Sequence, residues 1–397
     1  MSTHLRQRRG FALLIALGVI IVIGGLMAGA FLSSTNEYRA GRGTLETERA
    51  LAVAEGGHAQ LLSNWNLLWN GQIRNNGQTL PVQNYTVGGY PVSVRVTRLN
   101  DMSIYAVAEA NLNPASPQLN AYRRTGMLLK LNVPRLPFQG AITGAGPTAA
   151  TGNGAVSGFD VNPPSYSGGD CDAPGAAKAG LVGDNMTEMT SAGTCGSFSC
   201  ITGTPQRVAD PAAGQPSYYE EFGDYDFADM KTEAVAAGKV FDATLSPIIA
   251  QVKPSYNADG TCNTNDVKNW GDQNHTDAFT ACDNYYPTIY IKGIPAQLVT
   301  INQGAGQGVL ISEASLKFAG QFAFTGPVII KGNVAFEGNG NKLWGGVMAA
   351  NEGCITSPCN TVKGDSQVSF SSCAITMALA SRPVYPVVAR RSWVDLF

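Results

Sequence analysis

The segment RQRRGFALLIALGVIIVIGGLMAGAFL, residues 6–32, decides how this chain begins to fold. Three arginines open it, and no further charged residue occurs until Glu37. Thirteen of residues 11–32 are Phe, Leu, Ile or Val. Each such side chain favours bilayer insertion by roughly 0.3–0.6 kcal/mol, which gives the segment about 4–8 kcal/mol. We therefore predict one membrane-spanning helix, with its basic end in the cytoplasm and the chain beyond Leu32 outside.

The junction between the basic residues and the apolar run resembles the start of a type IV prepilin, where a short basic leader ends in glycine and phenylalanine follows. The resemblance implies that residues 1–10 are a leader, that a prepilin peptidase cuts between Gly10 and Phe11, and that the new N-terminus is methylated. It also implies single-pass insertion into the inner membrane before assembly, with a periplasmic or extracellular C-terminal part. The assembled protein would then lie in a pilus or on the cell surface, its helix packed against other pilin subunits. The anchoring side chains are expected to be Phe11, Leu14, Ile15, Leu17, Ile20, Ile23 and Leu26.

One residue departs from the prepilin pattern. The family usually has glutamate at the fifth position after the cleavage site, where this chain has Ile15. K-type minor pseudopilins of type II secretion systems show the same departure. Residues 50–55, ALAVAE, resemble the Ala-x-x-Ala-Glu run of minor pilins with a PilX-type N-terminal region. The resemblance therefore implies a minor pilin, with a K-type pseudopilin as an alternative.

Two simpler interpretations of the apolar segment compete with the prepilin one. A secretory signal peptide would use Ala28-Gly29-Ala30 as its cleavage site, but its apolar core is usually only about 7–15 residues long. A plain single-span anchor would keep the basic residues in the mature protein. The prepilin interpretation is preferred because glycine and phenylalanine follow the basic residues directly.

The helix is expected to continue beyond the membrane as an amphipathic segment, residues 33–75. No proline occurs before Asn70, and one stripe of residues recurs at intervals of three and four, as on a helix face. The stripe consists of Leu51, Ala54, His58, Leu61, Trp65 and Leu68. At 1.5 Å per residue, residues 11–69 would form a rod of roughly 90 Å. A histidine within such a stripe is interpreted as a packed residue rather than a ligand.

Residues 76–137 are expected to form a pilin-like antiparallel β-meander. Three strand-like runs, 83–99, 103–110 and 121–133, are separated by turn-forming residues. Pro134 and Pro137 end the last run, because proline is not accommodated in a central strand. We predict that the long helix packs on this meander.

The end of the chain, residues 287–397, shows an internal repeat. Apolar runs begin at Val309, Val328 and Val347, so the interval between successive runs is constant, and glycine lies just before each run. This period indicates an all-β domain resembling a β-solenoid or parallel β-helix; a β-sandwich is the alternative. Trp393 and Phe397 are expected to belong to a C-terminal cap that docks on the solenoid end or the pilin head, with a partner-binding tail as the alternative. The predicted fold class is α+β: a long N-terminal helix on a β-meander, followed by the solenoid-like domain.

Residues 138–286 are predicted to be an irregular, disulfide-containing region with a helix near 225–240. All eight cysteines follow residue 170, and an even number outside the cytoplasm indicates disulfides. Eight cysteines allow on the order of a hundred pairings, so the local closures Cys195–Cys200, Cys262–Cys282 and Cys354–Cys359 are suggestions only. Zinc is disfavoured because no Cys-x-x-Cys pair occurs. The candidates are Cys171, Cys195, Cys200, Cys262, Cys282, Cys354, Cys359 and Cys373.

Composition argues against several functions. Only 14% of the residues are charged, net charge is −2, and no basic cluster follows the leader, so nucleic-acid binding is not expected. With three histidines and few acidic residues after 287, no catalytic set emerges, and we predict no enzyme. Asn257 and Asp259 lie in an oxygen-rich loop that is a weak calcium candidate, because the closing glutamate of an EF-hand loop is absent. No other cofactor is expected, and no surface or host ligand follows from the sequence.

Ile15 and the size of the chain lead to one functional prediction. A subunit without the usual carboxylate cannot pair with a neighbour's terminal amine, which suits a filament tip. A bulky module beyond the meander would also crowd every position of a helical array. The sequence thus predicts a low-copy tip or initiation subunit that displays a rigid β-rich module. The alternative is a membrane-anchored, adhesin-like surface binding protein that never enters a filament.

Overall fold

The computed structural model describes residues 9–65, 77–100, 103–116, 120–131, 135–166, 171, 173–223, 225–274, 280–354, 357–380 and 386–396. The chain divides into two compact units. We call Met1–Trp65, Asn75–Lys130 and Pro386–Phe397 the helix unit, and Asn66–Arg74 with Leu131–Tyr385 the parallel-sheet unit. A long helix is followed by strand-rich segments that include a curled parallel sheet, so the fold is α+β as predicted.

The helix unit is built on α1, which extends from Arg9 to Ser63 without a break. Its 55 residues correspond to about 80 Å of helix. Leu68, the last residue of the expected stripe, lies outside the described residues, as do the remaining residues of the rod beyond 65. One unbroken helix therefore joins the apolar segment to the segment that packs on the unit's own sheet.

The sheet of the helix unit has five strands in the order β1-β2-β3-β4-β23. Strands β1 to β4 form the predicted antiparallel meander, and Gly88-Gly89, both with positive φ, make the tight turn between the first two. The strands are β1 Gln83–Val87, β2 Tyr90–Asn100, β3 Ser103–Leu112, β4 Ala121–Leu131 and β23 Pro386–Asp395.

The solenoid-like domain was expected to extend from residue 287 to residue 397, and the position of the fifth strand shows that this boundary is wrong. Residues 386–395 belong to the antiparallel sheet beside β4, which agrees with the expected position on the pilin head and contradicts a cap on the preceding domain. The strand contains Trp393, whose side chain, like Phe397, lies outside what the structure describes. The local sequence did not reveal this pairing because the whole parallel-sheet unit lies between the two strands in the chain. The chain thus leaves this sheet after β4 and returns to it as β23.

The parallel-sheet unit contains eighteen strands in one hydrogen-bonded sheet, and the pairings described between them are all parallel. The sheet curls because β15, β18 and β20 each continue around a corner; for example, the two ends of β15 pair with different strands, β17 and β18. The strands are β5 Gly140–Gly144, β6 Thr148–Thr151, β7 Ala155–Ser157, β8 Ala179–Gly183, β9 Met189–Ala192, β10 Ile201–Thr202, β11 Arg207–Ala209, β12 Val240–Asp242, β13 Ile248–Val252, β14 Thr288–Lys292, β15 Leu298–Gln307, β16 Val309–Ser312, β17 Ser315–Ala319, β18 Ala323–Ile330, β19 Val334–Phe336, β20 Lys342–Ala349, β21 Asn360–Val362 and β22 Gln367–Phe370.

The interval between the apolar runs corresponds, to within one residue, to one pairing step of this sheet. Val328 of β18 lies beside Val347 of β20, and Leu310 of β16 lies beside Val328. Stacking equal positions one strand apart gives a continuous interior of Val, Ile, Leu and Phe side chains. The spacing seen in the sequence is therefore the distance along the chain from one strand to its neighbour in the sheet.

The predicted irregular region, 138–286, is corrected by the structure, because β5 to β13 belong to the same parallel sheet. Along one side of the sheet the strands follow the order β12, β14, β16, β18, β20, β5, β8, β11. The first strand of this unit, β5, thus lies in the interior of the stack, between β20 and β8. These early strands are only two to five residues long and rich in Gly, Ala and Thr, and long connections separate them, so no period was visible.

Residues 210–239, which we call the crossover, connect β11 to β12. The crossover contains α2, Phe227–Ala236, close to the predicted position and begun by a capping box between Asp226 and Asp229. Helix α2 contacts β14 and β16, and β16 is buried at all four residues. Burial on both faces explains why this strand is a continuous apolar run rather than an alternating one.

A third helix and four disulfides complete the parallel-sheet unit. Helix α3, Ser372–Ala380, was not predicted, and it packs on β18 and β20. The three local cysteine pairs suggested from the sequence are bonded. The fourth bond joins Cys171 to Cys373, 202 residues apart.

Candidate assembly helix and other candidate sites

Residues 13–32 of α1 present only apolar side chains and glycines to their surroundings. Every described residue from Leu13 to Leu32 is exposed; Leu14 is 68% and Ile15 is 56% exposed. This is the one described helix long and apolar enough to cross a membrane. The remaining predicted anchor residues behave alike, with Leu17, Ile20, Ile23 and Leu26 all exposed, whereas the side chain of Phe11 is not among those described. An exposed apolar surface of this extent requires a bilayer or neighbouring helices to cover it.

The expected processing site lies at the boundary of the described chain. The backbone is helical from Arg9 onward, so Gly10 and Phe11 lie in the first turn of α1. The leader before Arg9 lies outside the described residues. Cleavage between Gly10 and Phe11 remains a prediction from the sequence.

The position of Ile15 leaves the membrane segment without any acidic group. The next carboxylate along α1 belongs to Glu37, about 33 Å further along the helix axis. A partner subunit that offers a terminal amine near residue 15 would therefore meet only aliphatic carbon. This is the chemical difference between this helix and the usual prepilin helix.

The second half of α1 packs on the sheet of its own unit through a buried stripe. The stripe follows the predicted one except that Leu51 is only half-buried, whereas Ala50 and Val53 are buried. The buried residues are Ala50, Val53, Ala54, His58, Leu61 and Trp65. The small residues Gly56 and Gly57 let the helix approach closely, because a Cβ on either would lie 2.5 Å from Val87 Cγ1 or 2.7 Å from Val92 Cγ2.

His58 is the titratable group at this contact. Its ring is 0% exposed, and Nε2 lies 3.1 Å from the Thr125 hydroxyl on β4. Burial lowers the pKa of His58 to about 4, and a hydrogen bond of the imidazole with the Thr125 backbone opposes the shift. The histidine is therefore neutral at pH 7 and has the packing role that the sequence suggested.

A charged pocket of about 300 Å³ lies in the parallel-sheet unit between the crossover and the ends of β16 and β18. Lys231 Nζ lies 2.9 Å from Glu313 Oε1, and the Tyr290 hydroxyl donates to Glu313 Oε2 over 2.6 Å. Lys331 pairs with Glu220. These pairs join the crossover to the strand ends, so the lysines around the pocket already have structural partners. The lining residues are Glu220, Glu221, Asp226, Phe227, Ala228, Lys231, Glu313 and Lys331.

The calcium candidate forms an Asx turn. Asp259 Oδ1 accepts hydrogen bonds from the Thr261 amide over 3.0 Å and from its hydroxyl over 2.6 Å, and these bonds lower the pKa of Asp259. The Asn257 side chain donates to the same hydroxyl over 2.9 Å. Within the described residues no group of three His, Cys, Asp or Glu side chains is placed to hold a metal ion. Calcium binding stays a prediction.

Lys239 is a buried cation, and no pattern in the sequence indicates it. The residue is 0% exposed, and its ammonium group donates to the backbone carbonyls of Asp266 and, over 3.1 Å, Asn269. Burial lowers the pKa of Lys239 to about 8, while Asp266 raises it. Both acceptors are backbone carbonyls of the loop between β13 and β14, so the Lys239 side chain holds that loop next to β12 through hydrogen bonds.

The comparisons with known proteins add little to this geometry. No protein-family model and no curated protein matches the chain. Among solved structures, the competence-associated pilin ComZ from Thermus thermophilus is similar at 11% identity and a TM-score of 0.25, over 88% of this chain and 96% of that one. A TM-score of that size carries no argument about fold or function, so the function is argued from the residues.

Proposed function

We propose that this chain is a minor pilin of a type IV pilus or a related filament system. The observation that supports this most strongly is the division of α1: residues 13–32 are exposed and uncharged, whereas the stripe from Ala50 to Trp65 packs on the sheet of the same unit. One continuous helix thus has an internal partner along one half and lacks one along the other. Such a helix suits storage in the inner membrane followed by packing among other pilin helices.

The leader and its processing belong to this proposal. A prepilin peptidase would remove residues 1–10 and expose Phe11 as the new N-terminus, which is then methylated. The order basic residue, glycine, phenylalanine supports this step. The anchor residues after Phe11 then become the filament-core surface, because their side chains are already exposed in the helix unit.

A tip or initiation position follows from Ile15. On insertion scales a charge left unpaired in the bilayer costs roughly 2.5–3.5 kcal/mol, so a terminal amine favours a neighbour that offers a carboxylate. Ile15 offers none, so this subunit would gain no stabilising charge pair at a filament position that a main subunit occupies. The long segment from Leu131 to Tyr385 adds bulk that is easier to place at an end. We expect a low copy number.

The module carried by this subunit is proposed to be a β-solenoid. Parallel pairing of each strand with the strand one repeat later in the chain supports this, as with Leu316 beside Val334 and Val328 beside Val347. A β-sandwich would pair its strands antiparallel. A solenoid holds its surface loops on a rigid body, which suits display outside the cell.

The decisive experiment is to determine the N-terminus of the mature protein by mass spectrometry, in cells with and without prepilin peptidase. A methylated Phe11 that depends on the peptidase supports the proposal. A mature chain that begins at Met1 favours the membrane-anchored surface protein, and a chain that begins after Ala30 shows a signal peptide. Both of these outcomes contradict the filament role.

The K-type pseudopilin of a type II secretion system is the second candidate, and Ile15 favours it equally. The two systems differ in where the subunit is found after shearing. A pilus subunit is recovered with the sheared filaments at low abundance. A pseudopilin remains with the cells, in an assembly that depends on the secretion genes.

A further inference from the structure

The parallel-sheet unit contains a seam between strands from distant parts of the chain. On one side, β5, β6 and β7 pair with β20, β21 and β22; on the other, they pair with β8, β9 and β10. Ile142 lies beside Val347 and Val156 beside Val368, although these partners come from opposite ends of the unit's sequence. The first three strands of the unit are therefore held between its last three strands and the three that follow them.

Polar side chains bond across the same seam. Asn360 Nδ2 donates to the Thr148 hydroxyl over 3.1 Å, and the Gly146 amide donates to Asn351 Oδ1 over 3.0 Å. Asn153 Nδ2 donates to Asp365 Oδ1 over 3.0 Å. Asn360 is 1% exposed, so loss of its partner would leave a buried amide unsatisfied. The seam is thus specified by hydrogen bonds as well as by strand pairing.

One disulfide closes this seam covalently. Cys171 lies between β7 and β8, and Cys373 lies in the first turn of α3, directly after β22. The preceding residue, Ser372, donates its amide to Asp160 Oδ1 over 2.8 Å and its hydroxyl to Asp160 Oδ2 over 2.5 Å. Asp160 also follows β7, so the carboxylate and the disulfide join the same two segments of chain.

The disulfide changes which parts of the unit can open. In an ordinary repeat stack the terminal repeats contact one neighbour only and fray first. Here the outer strands β11 and β12 are tied to each other by the crossover. The segments through which the chain enters and leaves the unit lie at the seam. Opening by peeling would therefore begin at β5–β7 or at α3 and β22, and the bond between Cys171 and Cys373 opposes both, because it ties the chain that follows β7 to the chain that follows β22.

We infer that Cys171–Cys373 is a redox clasp, which closes residues 171–373 into a ring after export and makes the seam the redox-sensitive part of the unit. Closure converts two thiols into one disulfide; two electrons and two protons pass to a disulfide-bearing oxidant, which leaves as a dithiol. Reduction reverses the reaction and frees the seam. The inference depends on the pairing within this unit and not on the proposed filament role.

The test compares two double variants of the full chain by amide hydrogen exchange in detergent. Cys171→Ser with Cys373→Ser removes the clasp; Cys262→Ser with Cys282→Ser removes a bond that spans only 20 residues, lies between β13 and β14 away from the seam, and serves as the matched control. In the first variant we expect exchange at β5–β7 and β20–β22 to accelerate by roughly a hundredfold, with β14 and β16 unchanged. The control should leave β5–β7 and β22 as in the wild type.

Two results would overturn the inference. Unchanged exchange at the seam would show that strand pairing alone holds it closed. A uniform acceleration over all strands would show a general stabiliser rather than a clasp. If the first variant does not fold, the folded wild type is reduced with a phosphine and followed by the same measurement, and the same selective opening is expected.

Discussion

His58 Nε2 and the Thr125 hydroxyl lie 3.1 Å apart where α1 crosses β4, and the histidine ring has no exposed surface. Thr125 is itself 3% exposed, so the pair joins the helix to the sheet inside the core. The contact makes the packing of the helix unit sensitive to acid, because a charged imidazole is unfavourable in that surrounding.

The free energy of unfolding of the helix unit should therefore decrease as the pH is lowered through a defined range. The pKa of His58 is about 4 in the folded protein, whereas the ordinary pKa of histidine is 6.5. Between these two pH values the unfolded state binds the proton and the folded state does not. By linkage the loss reaches about 3 kcal/mol when pH 4 is reached. Urea unfolding at pH 7 and pH 4.5 measures it.

His58→Gln is the matched variant for this prediction. Glutamine retains a polar group that can reach Thr125 but does not titrate. The variant should lose the part of the pH dependence that lies between 6.5 and 4. Equal slopes for wild type and variant would show that other groups control acid unfolding.

Gly57→Ala should destabilise the helix unit although alanine favours helix. The new Cβ would lie 2.7 Å from Val92 Cγ2, and a packed valine has little room to move. We expect a net loss of about 1–2 kcal/mol after a gain of about 1 kcal/mol in helix propensity. Gly41→Ala is the control, since nothing lies within 4 Å of its Cβ, and this variant should be neutral or stabilising. Chemical denaturation distinguishes the two; equal effects would contradict the close approach.

Ile15→Glu should raise the number of copies in sheared filaments if the missing carboxylate limits where the subunit fits. The new carboxylate would give the terminal amine of a neighbouring subunit the ion-pair partner that Ile15 does not offer. Ile20→Glu places the same charge further along the helix and should lower membrane insertion instead. Quantitative proteomics measures the copy number of each variant in sheared filaments and its amount in membranes. An unchanged copy number for Ile15→Glu would remove the electrostatic argument for the tip.

Lys239→Met should destabilise the parallel-sheet unit by about 1–3 kcal/mol. The variant keeps most of the buried stem but leaves the carbonyls of Asp266 and Asn269 without their ammonium donor. Lys253→Met, at an exposed lysine in the same loop, should change stability by less than about 0.5 kcal/mol. Thermal unfolding of both variants provides the comparison. Equal midpoints would show that Lys239 does not fasten the loop.

The sequence predicted the elements whose signal is local. The apolar run and the stripe through His58 and Trp65 describe α1, because helix contacts recur every three to four residues. The strands that begin near Val309, Val328 and Val347 were visible because each pairs with a strand only one repeat away in the chain. Their burial on both faces made them long apolar runs.

The rest depended on contacts between distant residues. Ile142 pairs with Val347 and β23 lies beside β4, and neither relation leaves a trace in the residues near it. Among the cysteines, the pairs separated by 5 or 20 residues could be suggested by proximity, but Cys171–Cys373 could not. The same reason explains why the sequence predicts an irregular region over residues 138–286, where the structure has β5 to β13.

The return of the chain as β23 makes the parallel-sheet unit an insertion rather than an appendage. A truncation that removes the final dozen residues would strip a strand from the sheet that supports α1 and leave the cysteine-rich unit intact. Shortening this protein from its carboxyl side would accordingly disturb the support of α1 before it disturbs the parallel sheet. Conversely, because β23 lies directly beside β4, we expect that a short connection between these two strands could replace residues 131–385 while the antiparallel sheet is retained.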